Sequence, residues 1–107
     1  MNPEAIRNAN WGEIQAWVSG ARRKVYEALR GLGPSTTQAL ANAMGMNLLT
    51  VRPRVTELVQ VGLVELYDKD GHEGVYVAVN ESAAELAHQR RRQVDATGKP
   101  AQLEMFT

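Results

Sequence analysis

Charged side chains are the groups in this sequence best equipped for chemistry, and they are clustered by sign. Arg22, Arg23, Lys24 and Arg30 stand against Glu27 alone. Arg90, Arg91 and Arg92 form a second basic run, and Arg52 and Arg54 flank Pro53. The stretch 65–74 is opposite in sign, with Glu65, Asp68, Asp70 and Glu73 against Lys69. A surface divided in this way steers a charged partner. The formal net charge of +0 argues against strong indiscriminate binding to nucleic acid.

Other chemistries find little support. His72 and His88 have no partner at a metal-ligand spacing such as His-x-x-x-His. Asp68, Asp70 and Glu73 do not follow the ligand spacing of a calcium-binding loop. There is no glycine-rich phosphate loop, nucleophile elbow or carboxylate pair in an apolar setting. The expectation is a non-enzyme without cofactor or metal. The absence of cysteine excludes disulfides and thiolate metal sites and fits a reducing, cytoplasmic setting. The longest apolar run, Val75–Val79, is far too short to span a membrane. The first residues lack the basic start and apolar stretch of a secretory signal.

A chain of 107 residues has room for one domain. Residues 1–9 show no period and are expected to be loose. Asn10 and Glu13 form a capping box before Trp11, Ile14, Trp17 and Val18, which recur at helical spacing. Ser19 is a plausible cap for a second helix, with Val25, Ala28 and Leu29 on its apolar face and its end at Gly31–Pro34. Thr36 caps a third, with Leu40, Ala43 and Met44 inward and Gly45 as its left-handed terminus. Asn47 or Thr50 starts a fourth, with Leu48, Val51, Val55 and Leu58 on one face. Leu63–Tyr67 and Val75–Val79 read as strands around a turn-rich loop. Asn80 caps a last helix reaching about Val94. Residues 10–94 are then one domain, and 95–107 a flexible tail.

The order of helices followed by a hairpin and a last helix is mainly α with a small β-hairpin. Residues 33–66, GPSTTQALANAMGMNLLTVRPRVTELVQVGLVEL, resemble winged helix-turn-helix (α+β) domains of prokaryotic regulators and phage proteins, here with extra N- and C-terminal helices. The resemblance spans about residues 20–80. It implies that the helix near residues 47–61 enters the major groove of duplex DNA. With Val51 and Val55 inward, the outward stripe is Leu49, Pro53, Thr56 and Gln60, flanked by Thr50 and Arg52, with Arg54 nearer the core. Arg52 could read guanine, and Thr56 or Gln60 could touch base edges or phosphate. Leu49 and Pro53 are poor readers. Arg22, Arg23 and Lys24 are expected at the DNA backbone, and Lys69 is the basic group of an otherwise acidic wing. The alternative is that these are solvated charges on helix faces.

At the chain's end, Gln102-Leu103-Glu104-Met105-Phe106 resembles the peptide by which bacterial replication and repair proteins dock on the β sliding clamp. Gln102, Leu103 and Phe106 match that pattern, Met105 is a near equivalent, and Glu104 departs from it. Removing residues 102–107 is then expected to abolish clamp binding and leave the fold intact. Three readings follow: a DNA-binding transcription regulator, a clamp-docking adaptor in replication or repair, and a winged helix used for protein contact or as a homodimer. Exposure of Trp11 and Trp17 would favour the dimer, and packing on their own chain would not.

Overall fold

The computed structural model describes the backbone of residues 1–97 and the side chains of residues 1–93. Among the described residues, six helices and three strands form a mixed α+β domain. They are α1 (Pro3–Asn8), α2 (Trp11–Trp17), α3 (Ala21–Leu32), β1 (Ser35–Thr36), α4 (Thr37–Met44), α5 (Leu48–Gln60), β2 (Val64–Asp70), β3 (Glu73–Ala78) and α6 (Glu81–Thr97). The antiparallel sheet has the order β1-β3-β2, so the short β1 pairs β3 through Ser35–Tyr76 and Thr36–Val75.

Several boundaries follow local chemistry. Asn10 Oδ1 accepts from Glu13 N at 2.9 Å, and the Glu13 carboxylate returns the bond to Asn10 N, completing the box that starts α2. Thr36 caps α4 through Ala39 N at 3.1 Å, and Asn47 caps α5 through Leu49 N at 2.7 Å. Gly45 has φ 64°, and Met46 N reaches back to Ala41 O at 3.0 Å. That geometry ends α4 and turns the chain into α5.

Four details differ from the sequence expectation, besides strand β1, which makes the expected two-stranded hairpin a three-stranded sheet. Residues 3–8 are helical rather than loose. Asn2 caps them through Ala5 N, Pro3 occupies the first turn, and Ile6 is buried. Helix α3 takes Gly20, at φ 56°, as its N-terminal boundary, with no side-chain cap from Ser19. In α4 the buried pair is Leu40 and Ala41, whereas Ala43 is exposed. Asn47, one of the two expected starts, caps helix α5 at Leu48, and this puts Pro53 inside the helix. Proline there cannot donate to the Leu49 carbonyl, a loss that solvent at this outer face can offset. Finally, the hairpin is longer than expected and its loop shorter. Asp68, Lys69 and Asp70 are paired in β2, leaving Gly71 and His72 as the turn, with Gly71 at φ 64°.

The core lies where α3, α4 and α5 meet the sheet. Val25, Tyr26 and Leu29 from α3, Leu40 from α4, and Val51, Val55 and Leu58 from α5 are buried together with Leu63 and Val64. The α2 side adds Trp11, Ile14 and Val18, so Trp11 is spent on its own chain and Trp17 is half-buried. His88 of α6 is a buried polar side chain, 1% exposed. Its Nε2 lies 2.7 Å from the Ala9 carbonyl, and its ring lies 5.8 Å from Trp11. This contact ties the N-terminal helices to α6.

Tyr26 supplies a second polar tie. Its hydroxyl donates to the Val79 carbonyl at 2.7 Å. Burial pushes the phenol above its ordinary value, and the Glu81 charge adds to the shift. A raised folded value means stability that is complete below about pH 10 and lost as pH rises beyond it. Tyr26→Phe is therefore expected to cost about 1–2 kcal/mol at neutral pH, leaving the Val79 carbonyl unpaired. Urea denaturation should also show a flatter alkaline decline than in the parent. An unchanged midpoint at neutral pH would contradict this role.

Candidate nucleic-acid interface

Helix α5 places its side chains as its periodicity demands. Val51, Val55 and Leu58 face the core, while Leu49, Thr50, Arg52, Pro53, Thr56 and Gln60 are exposed. Leu49 is 75% exposed, the most open large apolar residue among those described. Thr56 turns its hydroxyl onto the Arg52 carbonyl at 3.2 Å, so part of its hydrogen-bonding capacity is spent on its own helix.

The two flanks of α5 differ. On the hairpin side, Arg52, Val55 and Thr56 line a cleft of about 260 Å³ with Thr37, His72, Glu73, Gly74 and Tyr76. At Gly74 a Cβ would come within 2.9 Å of the Leu66 side chain and 3.1 Å of the Tyr76 ring, so a larger residue there would have to displace them. Arg52 makes no ion pair with any described residue. Its guanidinium is thus an available fork of donors at the mouth of a cleft.

On the α3 side the arginines are committed. Arg22 Nε and Nη2 donate to Glu57 Oε1 and Oε2, both at 3.2 Å. The same guanidinium lies 4.1 Å over the Trp17 ring and donates to the Trp17 carbonyl at 3.4 Å. Arg54 Nε stands 2.6 Å from Glu57 Oε1 yet lacks the in-line geometry of a hydrogen bond. The short distance makes this an ion pair, and the misaligned N–H leaves its donor capacity incompletely used.

The remaining candidates are dispersed. Arg23 donates to Glu81 at 2.7 Å and also contacts Glu27, joining α3 to the start of α6. The Glu81 hydrogen bond outweighs desolvation and raises the affinity of Arg23 for its proton. Lys24 is exposed on α3 and Lys69 on β2. Gln60 lies at the other end of α5, beside Pro3, Ile6, Arg7, His88 and Arg91. Gln102, Leu103, Met105 and Phe106 lie outside the described residues.

Thus Arg52 and Thr56 share one place, Arg22 and Arg54 share another, and Arg23, Lys24, Gln60 and Lys69 join neither. The sequence reading missed Glu57, whose role depends on a partner 35 residues away in the chain. It also missed Thr37, which only the α4–hairpin packing brings to the cleft. The spacing of Arg54 and Glu57, three apart on one helix, was the available signal for half of the cluster.

Among the described residues no group of histidine, aspartate or glutamate is arranged to hold a metal ion, and no helix is long and apolar enough to cross a membrane. A scan against protein-family models finds no match to this chain, and a comparison with curated proteins finds none that matches its sequence.

Proposed function

We propose that this chain is a winged helix-turn-helix protein that binds duplex DNA through α5, as a transcription regulator of the prokaryotic or phage type. The observation that carries this reading is Arg52. It is exposed on α5, without an ion pair among the described residues, and set beside a cleft shared with the hairpin. An α-helix of 13 residues is about 20 Å long and has the width to enter a major groove. Thr50, Thr56 and Arg52 are its polar contributions. Leu49 offers an apolar surface suited to thymine methyl groups rather than to hydrogen-bonded reading.

The charge distribution limits the strength of such binding. Asp68, Asp70 and Glu73 on the hairpin repel phosphate, and Arg23 is engaged elsewhere. A few phosphate contacts remain, which correspond to a salt slope of about −2 to −4 in log–log form. Fluorescence anisotropy of a labelled duplex, titrated at rising salt, measures this directly. No detectable binding at low salt would overturn the proposal. It would favour a second reading, a contact with protein, which the exposed Leu49, Leu66 and Tyr67 support.

A further inference from the structure

The Arg22–Glu57–Arg54 cluster lies at the border of the surface just assigned to DNA. Glu57 is four residues after Pro53 and three before Gln60, so it neighbours both outward positions on the helix. Its carboxylate serves two guanidinium groups. None of the three is deeply buried. The side chains of Arg22 and Glu57 are each 24% exposed, and Arg54 is slightly more open. A phosphate passing along this edge presents acceptor oxygens of the same kind as the carboxylate. Two cations shared with one anion leave a single net positive charge where two would otherwise face the duplex.

We propose that Glu57 is an internal counter-ion that limits DNA affinity: it holds Arg22 and Arg54 in the place that a backbone phosphate would take, and a duplex must compete with it. The inference rests on the DNA-binding reading of α5. Trp17 completes the device. By stacking on the Arg22 guanidinium and accepting from it, Trp17 keeps that group at the edge of α5 whether or not the carboxylate is present. Removing the carboxylate therefore frees a charge already in position. The arrangement keeps sequence-independent attraction low, so that contacts made by Arg52 weigh more in the total.

A cluster serving only to brace α3 against α5 would behave differently. Its loss would lower stability and leave affinity at or below that of the parent. Glu57→Gln and Glu57→Asp separate the two. The probe is a labelled duplex of two helical turns and random sequence, read by anisotropy across a salt series, with melting curves recorded in parallel. Glu57→Gln is expected to bind about three- to tenfold tighter near 0.1 M salt and to converge on the parent near 1 M, because one added phosphate contact steepens the salt slope by about one. Glu57→Asp retains the negative charge and should stay within about twofold of the parent. Adding Arg22→Gln to Glu57→Gln should remove the gain. A folded Glu57→Gln with the parent's affinity and slope overturns the counter-ion role while leaving the DNA reading standing. Equal gains from Gln and Asp would also overturn it, since the charge would then not matter. Failure of both parent and variant to bind at low salt overturns the two proposals together.

Discussion

Leu58→Ala is expected to destabilise the domain by about 3–4 kcal/mol, the largest stability effect among single substitutions in α5. Leu58 is 0% exposed on the core face of that helix, and its carbonyl accepts from Leu63 N where the chain leaves for β2. Truncation removes buried methyl groups and leaves a void that neighbours on α3 and the sheet can only partly fill. A small domain has a total stability of about 5–15 kcal/mol, so the loss is a large share of it. The melting midpoint should fall by roughly 12–30 °C. Leu49→Ala, on the opposite side of the same helix, should stay within about 0.5 kcal/mol. Thermal denaturation of the two variants beside the parent tests the orientation of α5. Comparable losses from both would show that the helix is turned differently.

The largest binding effect is expected from Arg52→Glu, on the order of a 100-fold loss of duplex affinity at low salt. An arginine contact to a base edge is worth about 1–3 kcal/mol, and charge reversal adds repulsion from phosphate. Arg52 is exposed and unpaired among the described residues, so its replacement leaves no buried group without a partner. The melting midpoint should accordingly remain near that of the parent. Arg52→Lys is a useful intermediate. It keeps the charge and loses the planar fork, so a groove contact should weaken while a purely phosphate contact should survive. If Arg52→Glu binds as the parent does, α5 is not the reading element.

Much of the local structure was written in short segments. Asn10 with Glu13, Thr36, Gly45, Asn47 and Asn80 each act within four residues of their own position, through side-chain caps or a left-handed backbone. The apolar face of α5 was equally legible, because a helix repeats its inward positions at a fixed period and Val51, Val55 and Leu58 follow it. The signals that failed were also local. Ser19 resembled a cap, but the positive φ of Gly20 redirects the chain before Ser19 can act as one. The short α1 carries a single buried anchor, Ile6, too little for any periodicity to show.

Taken alone, the sequence determined most of the helix ends, the apolar face of α5, and where charge of each sign is dense. Each of these depends on neighbours close in the chain. The tertiary structure decided which charges remain available. Arg22, Arg23, Arg52 and Arg54 are chemically identical, yet helical spacing gives Glu57 to Arg54, packing adds Arg22 to the same carboxylate and gives Glu81 to Arg23, and Arg52 has no described partner. The partners of Arg22 and Arg23 lie on distant helices, at separations no local pattern encodes, so their pairing emerged only when α3, α5 and α6 were brought together.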